Sequence, residues 1–583
     1  MEWRFAGLYL ALSVAGQFAV AQSAASGAVH EASAAGSGAS ADSTSDLRAM
    51  IGDLKALVRK QTDELDRQRL QLERQQADID ELRRAVLPGR RADVPVKDQE
   101  LAAANAAVLL RSGADQLRTS APDSRASSKS AMTAVSGQSE NTTEAGDSPL
   151  SIHFGQARLT PGGWVDFTSY YRSTDVGSGL GTSFSTIPYS NTVQGGLSET
   201  RFTAQGSRVS LRADEIFGPV RVFGYAEADF NGYLPSNAYV STNSTSLRLR
   251  VFFTDVKSGR WELLAGQSWS MLTPNRVGVS PFLSEIYNTL HLDSNYQVGL
   301  TYARQTQLRA VYHVAENVAL GISAENPQQY SSGAPTFPGL FSTAQTDLGS
   351  STGTGGGTAT PNVHPDLIAK LSADAGWGAR KWHFEIAGLL TAVGILTPAS
   401  ITGSASVKEI REGGGISGAA NMEVMKNLHV ILTGFWSDGG GRYIGGLGPA
   451  FVVAQHGETS SPFSVQMVHS GSGIAGFEWL AHKNSVIALT YSGGYFGREF
   501  SIDPSTGHLV GYGFPGSSDS NNRALQEGTL ATQTTLWKVP GYGSVQVITQ
   551  GSYIQRAPWY LAPGAPKNAH VFAGYANLRY VLP

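Results

Sequence analysis

Polar and apolar residues alternate along most of this chain from Gly163 onward. In the stretch 208–212, for example, Arg208, Ser210 and Arg212 are separated by single apolar residues. A period of two places successive side chains on opposite faces of an extended chain, so each such stretch is a strand with one polar and one apolar face. The pattern therefore predicts an all-β protein.

Sixteen segments share this two-faced pattern, and turn-forming residues separate them. The predicted strands are 164–172, 201–212, 220–230, 247–256, 261–270, 296–314, 318–325, 366–375, 381–395, 415–425, 428–437, 463–481, 485–500, 523–537, 544–559 and 570–583.

The connections between these segments alternate between short and long. Short turns fall at 213–219, 257–260, 315–317, 376–380, 426–427, 482–484 and 540–543, whereas the longest loops are 173–198, 328–364 and 438–462. Two packed soluble sheets do not require this alternation. An outer-membrane barrel does, because it has short turns on one rim and long loops on the other.

A strand can cross hydrocarbon only within a closed barrel, because every backbone polar group must be paired inside the protein. The predicted fold class is therefore an all-β transmembrane barrel of sixteen antiparallel strands, with polar faces around an aqueous lumen. Aromatic residues near strand ends are typical of interfacial girdles. A soluble propeller or lectin is the alternative, but no blade-length repeat occurs. The girdle candidates are Tyr170, Tyr171, Trp261, Trp377, Tyr495, Trp537, Trp559 and Tyr560.

The first 150 residues have a different organisation. Residues 1–21 contain Arg4, an apolar core and Ala-Val-Ala before Gln22, which is the form of a secretory signal peptide. An Ala/Ser/Gly-rich leader follows at 22–45. Residues 88–150 form a predicted linker before a barrel domain at 151–583.

Residues 46–87 have a heptad pattern, which predicts an N-terminal α-helical coiled-coil segment. We interpret it as the stalk of a parallel homo-oligomer, and a single solvated helix is the alternative. Heptads alone do not distinguish two strands from three. The a positions are Ile51, Val58, Leu65, Leu72, Ile79 and Val86, and the d positions are Leu47, Leu54, Gln61, Gln68, Gln75 and Leu82.

Composition excludes several classes of function. Among the 583 residues, Lys and Arg number 44 and Asp and Glu number 47, a net charge of −3 that argues against a nucleic-acid partner. Cysteine is absent, so disulfides, thiolate metal sites and a cysteine nucleophile are excluded.

Sequence motifs for catalysis have little support. The Gly-rich stretch 177–181 is not followed by a helix, and 349–353 matches Gly-x-Ser-x-Gly without the strand-to-helix turn of a nucleophile elbow. The histidines do not have metal-ligand spacing on a helix. We therefore expect no enzyme activity, no cofactor and no metal. A barrel-type outer-membrane enzyme and a trimeric structural or adhesive envelope protein are the alternative functions.

Six arginines and two acids gather on three adjacent predicted strands. Neighbouring strands place such side chains about 5 to 8 Å apart, so they can form a ladder on the lumen wall. One interpretation is a pore-lining track that attracts anions, because guanidinium groups bind carboxylates through two bonds. The other is a set of ion pairs that brace the wall. The residues are Arg201, Arg208, Arg212, Arg221, Glu227, Asp229, Arg248 and Arg250.

Two short motifs give a family resemblance. Gln205, Ser207 and Arg208 form the first, and the segment 266–270 (GQSWS), just before a long third loop, forms the second. Together with the signal peptide, stalk and linker, they resemble bacterial trimeric porins of the DcaP-like group.

The resemblance implies a trimeric outer-membrane channel that takes up small anions, including dicarboxylates. It also implies that the third loop, about 271–295, folds into the lumen as a constriction, with Arg276, Glu285 and Asp293 as candidate residues. The expected location is the bacterial outer membrane with the stalk in the periplasm. The expected partners are small anionic or hydrophilic solutes, outer-membrane lipid, two further copies of the chain and, through the stalk, the cell wall.

Overall fold

The structure, a computed structural model, describes residues 148–232, 246–282, 289–348, 360–378 and 380–583. The predicted signal peptide, leader and coiled coil, and nearly all of the predicted linker, lie outside the described residues. Within the described ranges, no helix has both the length and the apolar character needed to span a membrane.

Strands dominate the described part of the chain, and period-two alternation explains most of them. One helical turn, α1 (Ala399–Thr402), and 3-10 turns at Phe184–Thr186, Gln194–Gly196, Thr343–Gln345 and Gly441–Tyr443 complete it. The strands are β1 (Ile152–Phe154), β2 (Ala157–Arg172), β3 (Glu199–Thr203), β4 (Arg208–Phe217), β5 (Val220–Asp229), β6 (Arg248–Ser258), β7 (Trp261–Trp269), β8 (Arg304–Ala315), β9 (Val318–Glu325), β10 (Asp366–Trp377), β11 (Arg380–Thr397), β12 (Val407–Met425), β13 (Leu428–Asp438), β14 (Phe451–Gln455), β15 (Phe463–Met467), β16 (His469–His482), β17 (Ser485–Phe496), β18 (Glu499–Ile502), β19 (Leu509–Tyr512), β20 (Asn522–Val539), β21 (Gly543–Pro558) and β22 (Ala569–Val581).

The main sheet closes on itself as a barrel of sixteen antiparallel positions. It runs from β2 through β3 and β4, which share one position, then β5 to β13, β16, β17 and β20 to β22. Closure is made where β22 pairs with β2, in a register that sets Val581 opposite Trp164 and Ala573 opposite Arg172. The predicted sixteen-stranded antiparallel barrel is confirmed.

Several predicted strand bounds were wrong. The segment 201–212 is two strands, and the second extends to Phe217; β12 begins at Val407 and β17 ends at Phe496. Two further differences have a clear cause. The segment 296–314 begins as a strand only at Arg304, because Tyr296 has a φ of 61° and the chain from there to Ala303 lies inside the barrel. The segment 463–481 is two strands. Phe463–Met467 alternates because it pairs with β14 in a separate buried hairpin, and the barrel strand starts at His469.

The two faces of each barrel strand point into different surroundings. On β10, Leu367 and Leu371 are exposed, whereas Asp366, Lys370 and Ser372 on the opposite face are buried. The barrel therefore presents apolar side chains on its outside and encloses its polar ones. This is the reverse of a water-soluble protein and matches the predicted two-faced strands.

The short turns lie at one rim. The β4–β5 and β6–β7 turns are two residues long, and Gly218 and Gly259 adopt the positive φ of 57° that such a turn requires. The opposite rim has the long connections, which include the β14–β15 and β18–β19 hairpins. Short and long connections alternate as predicted.

Candidate functional site: the barrel lumen

The connection between β7 and β8 crosses the interior of the barrel. We call residues 270–303 the crossing segment, of which 270–282 and 289–303 are described. Its first limb, 270–282, bonds to the inner faces of several strands, and its second limb, 289–303, bonds to others. The connection is long enough to reach both sides of the lumen, and its backbone N–H groups bond to the walls there.

Wall carboxylates hold the first limb through its backbone. The amide of Met271 donates to Glu325 Oε1 at 2.8 Å, and that of Asn275 donates to Glu385 Oε2 at 3.0 Å. The ammonium group of Lys370 joins Glu385 to the carbonyl of Thr273, at 3.0 and 2.8 Å. An ionised carboxylate can only accept hydrogen bonds, and the backbone N–H groups of the segment supply donors to Glu325 and Glu385.

Arg276 extends the first limb to a distant strand. Its guanidinium donates two bonds to Glu478 on β16, at 2.7 and 2.8 Å, and both side chains are buried. β16 is seven positions beyond β7 around the barrel, which is nearly diametrically opposite. The two bonds orient the Arg276 guanidinium, and they also pair its positive charge with the Glu478 carboxylate.

Phe282, the last described residue of the first limb, packs on the near wall. Its ring stacks on Phe223 with centroids 5.2 Å apart, and Tyr225 and Phe253 surround it. The Arg212 guanidinium lies 5.0 Å from the Phe282 centroid. The described limb therefore contacts opposite walls within a few residues.

Asp293 anchors the second limb. Its carboxylate accepts bonds from the Thr182 amide, the Asn295 amide and the Tyr575 hydroxyl, at 3.0, 2.8 and 3.0 Å. Burial raises the pKa of the Asp293 carboxyl, and the nearby Arg172 opposes this effect. The segment is thereby attached both to β22 and to the loop after β2.

Further bonds fasten the second limb between Asp293 and β8. Tyr296 accepts a 2.7 Å bond from Arg250, and the Val298 amide donates to Glu527 at 2.9 Å. Gly299 lies against the backbone of β16 and β17, where an added Cβ would be 2.5 Å from the Gly493 carbonyl oxygen. The positive φ of 84° at this glycine makes the close approach possible.

The predicted arginine ladder forms on the inner wall of β4, β5 and β6. Arg212 donates two 2.8 Å bonds to Asp214, which also accepts from Arg221 at 3.2 Å. Asp214 is two residues beyond Arg212 on the same face of β4, which explains the contact.

The other end of the ladder centres on the two predicted acids. Arg250 donates to Glu227 at 2.6 Å and to Asp229 at 2.7 Å. Arg248 donates two bonds to Asp229, at 3.0 and 2.7 Å, and Arg208 donates to Glu227 at 3.3 Å. Arg201 is outside this group and pairs with Glu199 at 2.9 Å.

The ladder has more positive than negative groups. The six predicted arginines pair with four carboxylates, namely those of Glu199, Asp214, Glu227 and Asp229, which leaves two positive charges in excess in the described contacts. Arg304 adds a further guanidinium, stacked 5.8 Å over Trp269. Among the printed ion pairs of the ladder, arginines therefore outnumber carboxylates.

Exposure along the ladder falls from both rims toward the middle. The Arg201 side chain near the long loops is 58 % exposed and Arg221 near the short turns is 28 %, whereas Arg212 and Arg250 are 0 and 2 % exposed. A cavity of about 50 Å³ remains beside the ladder, lined in part by Trp164. The arginines in the middle of the ladder are therefore its most buried members.

The structure places the remaining predicted site residues at separate points. Arg276 and Asp293 are both in the crossing segment, but they contact different walls, and Glu285 lies outside the described residues. Sequence reasoning missed Asp214, Glu199, Glu478 and Lys370. The alternation that singled out the arginines also places these residues on inward faces, but their partners were not identifiable from sequence.

Comparison with known proteins finds several solved structures similar to this one. The DcaP channel of Acinetobacter baumannii has 15 % identity and a TM-score of 0.49, and the match covers 75 % of this chain and 100 % of that one. An anion-selective porin from Comamonas acidovorans has 10 % identity, covers 73 and 99 % of the two chains and has a TM-score of 0.40. Salmonella typhi OmpF in complex with daunomycin has 9 % identity, 74 and 99 % coverage and a TM-score of 0.38.

A DcaP channel is thus one of the solved structures to which this chain is similar. No protein-family model matches the sequence. No curated protein matches it either.

Proposed function

We propose that this chain is an outer-membrane porin that allows passive diffusion of small hydrophilic solutes. The observation that carries the proposal is the distribution of side chains in the closed barrel. Leucines such as Leu367 and Leu371 face outward, and charged residues such as Lys370 and Glu385 face inward. Lipid is the apolar surrounding that suits such an exterior, and an enclosed polar wall suits water-soluble cargo.

An anion preference of the dicarboxylate type is the finer part of the proposal. It is supported by the excess of arginines over carboxylates in the ion pairs of the ladder and by the positions of Arg201, which is exposed, and Arg248, which is partly exposed, toward the long loops. Planar guanidinium groups bind carboxylates through paired bonds. The same arginines brace the wall through ion pairs, so both sequence interpretations remain part of the proposal.

The homotrimer and the periplasmic stalk belong to the same proposal. Their support is the heptad pattern over 46–87, which lies outside the described residues, together with the DcaP-like motifs. Each chain supplies a complete sixteen-position barrel, which favours one pore per subunit over a trimeric adhesin, in which each chain supplies only a few strands.

Ion selectivity in planar bilayers tests the proposed function. Arg248→Ala removes a partly exposed guanidinium, and the reversal potential in a salt gradient is expected to shift toward cations. Arg411→Ala, at an exposed position on β12 across the barrel, is the matched control and should leave the potential unchanged. An unchanged reversal potential for Arg248→Ala would reject the anion track, and a lack of any conductance would reject the porin.

A separate measurement distinguishes a barrel enzyme from a channel. Lipase assays on liposomes, made on the same samples as the conductance recordings, separate a barrel enzyme from a channel. Ester hydrolysis without conductance would favour the enzyme. Neither catalytic motif of the sequence has a described strand-to-helix turn, since 177–181 lies in an irregular connection and 349–353 lies outside the described residues.

A further inference from the structure

Two exposed arginines lie against one tryptophan at the long-loop rim of the barrel. Arg498 follows β17, Arg523 is the second residue of β20, and Trp559 follows β21. The two guanidinium carbons lie 5.3 and 5.8 Å from the centroid of the Trp559 ring, within the range of a cation–π contact. We call these three residues the rim cluster.

A β-bulge turns Arg523 to the outside of the barrel. The pairing of β20 with β21 skips this residue, between Asn522 and Ala524. Asn522 and Leu525 are both buried and face the interior. The bulge therefore leaves Arg523 beside Ala524 on the outer side. Ala524 is directly opposite Tyr495 of β17, whose side chain is exposed on the same outer face.

The tryptophan of the rim cluster is fixed by the ends of the neighbouring strands and loops. Its indole N–H donates to the Phe496 carbonyl at 2.9 Å, and its ring meets Tyr495 edge-on with centroids 6.2 Å apart. Gly513, with a φ of 74°, lies against the same ring. A Cβ added to Gly513 would be 2.6 Å from the Trp559 Cδ1 atom and 2.9 Å from the Arg498 Cβ atom. The surrounding backbone therefore holds the ring and Arg498 in position.

Neither guanidinium of the rim cluster has an acidic partner. Among the described residues, Arg498 and Arg523 form no ion pair or hydrogen bond besides their contacts with Trp559. The adjacent acid Glu499 interacts with His469 and Asp438 instead. The ladder arginines in the lumen differ, because each of them is bound to a wall carboxylate. Two exposed guanidinium groups without a carboxylate are suited to bind an anion from outside the protein.

The outer surface on the membrane side of the rim cluster is apolar. Leu489, Tyr491 and Tyr495 alternate along the outer face of β17, and all three are exposed. Tyr553 of β21 is exposed as well. Tyrosine and tryptophan concentrate at the membrane–water interface, so the arginines lie at the level of the lipid head groups. Because the long-loop rim of an outer-membrane barrel faces the outside, these head groups belong to the outer leaflet.

We propose that the rim cluster binds a phosphate group of lipopolysaccharide, the glycolipid of the outer leaflet. The inference rests on the proposed outer-membrane porin. Arginine matches the geometry of phosphate through paired bonds, and the Trp559 ring keeps both guanidinium groups at one place. The acyl chains of the same molecule lie along the apolar face of β17. A lipid therefore satisfies both parts of this surface, whereas a free anion satisfies only the arginines.

The double variant Arg498→Gln/Arg523→Gln tests the proposal by removing both positive charges. Bisphosphorylated lipid A, the acylated and phosphorylated part of lipopolysaccharide, is the probe. Native mass spectrometry of the protein in detergent measures how much of it is bound. The apparent Kd is expected to rise about ten-fold or more, because each cation adds separately to the attraction of an anionic lipid. A wild type that binds no lipid A would overturn the proposal.

Lys408→Gln/Arg411→Gln is the matched control. It removes two exposed positive charges from the beginning of β12, which is three strand positions from β17 at the same rim. Its affinity for lipid A should equal that of the wild type. An equal loss of affinity in both double variants would reject the rim cluster, since the net charge of the rim alone would then account for binding.

Two further probes identify the group that is bound. Lipid A without its phosphates should bind the wild type no more tightly than bisphosphorylated lipid A binds the Gln double variant. Millimolar inorganic phosphate should fail to displace bound lipid A. Complete displacement by phosphate would indicate a site for small anions and would reject the lipid proposal.

Conductance separates the lipid site from the porin. The rim cluster lies outside the lumen, so Arg498→Gln/Arg523→Gln should conduct with the wild-type reversal potential, and a shifted potential would overturn its assignment to the outer face. Conducting channels with unchanged lipid binding would reject the lipid site and retain the porin. Lipid binding without conductance in the wild type would reject the porin alone. Heat-induced loss of β circular dichroism, compared with the wild type, establishes that each variant has folded.

Discussion

Arg212 and Asp214, two residues apart on β4, form a fully buried two-bond ion pair inside the barrel, with both bonds 2.8 Å long. Arg221 from the next strand shares the same carboxylate at 3.2 Å, and Arg158 lies 3.7 Å away. Three arginines on the lumen wall therefore share one carboxylate, which makes the ladder sensitive to the loss of this acid.

The first prediction concerns Asp214→Asn. Removing one partner of a buried pair leaves an uncompensated charge, which costs about 3 to 5 kcal/mol in the free energy of unfolding. We expect a loss of this size in urea unfolding of the barrel in lipid vesicles. The double variant Arg212→Met/Asp214→Leu removes both charges and should lose less. A change below about 0.5 kcal/mol for Asp214→Asn would show that water reaches Arg212.

The second prediction concerns Gly299→Ala. The new Cβ would lie 2.5 Å from the Gly493 carbonyl oxygen at a φ of 84°, so the second limb must shift. The strain in backbone conformation alone costs roughly 1 to 3 kcal/mol. We expect a lower midpoint of thermal unfolding and greater labelling of a reporter cysteine placed at Ser294.

Gly434→Ala is the matched control for this glycine. Gly434 lies on β13 with open space around the position of an added Cβ. It should leave both the midpoint and the labelling unchanged. Equal effects of the two substitutions would contradict the packing of Gly299 against β16 and β17.

The third prediction tests whether lipid surrounds the barrel. Leu530 is exposed in the middle of β20, so Leu530→Arg places a charge on the outer face. In a bilayer this costs about 2 to 4 kcal/mol, whereas an ordinary water-exposed position changes by less than about 0.5 kcal/mol. Unfolding from lipid vesicles gives the value.

Val193→Arg provides the comparison for the outer face. Val193 is exposed in the connection between β2 and β3, outside the barrel strands. It should be tolerated with little change in stability. If Leu530→Arg were tolerated equally well, the outer face would be in water and the membrane location would be wrong.

The fourth prediction concerns the heptad segment. The a-position residues Leu65 and Leu72 are expected to lie in the seam of a coiled coil, so replacing both with proline should break the helix. Native mass spectrometry should show three copies for the wild type and a reduced trimer fraction for the variant. A monomeric wild type would contradict the trimeric stalk.

The sequence was informative where each residue acts through local geometry. Period-two alternation located all sixteen barrel positions, and the lengths of the connections showed which rim has the long loops. It was misleading at 463–467, where a buried hairpin alternates in the same way as a barrel strand. Alternation reports that one face is apolar, and it does not report what that face contacts.

The sequence predicted which arginines belong to the candidate site, but it did not predict which carboxylates they contact. The arginines of 208–250 could be assigned to one wall because neighbouring strands bring them together. Their sharing of Asp214 and Glu227 depends on strand register, which is set by the whole sheet. The contact of Arg276 with Glu478 joins residues 202 positions apart and has no local signal.

The sequence by itself determined that this chain folds into two-faced strands with short turns at one rim and long loops at the other, because side-chain alternation and turn chemistry are local properties. Only the tertiary structure decided that β2 closes on β22 and that the crossing segment occupies the lumen. It also decided that Arg276 meets Glu478. These features depend on the curvature and register of a closed sheet, which bring distant residues together across the lumen.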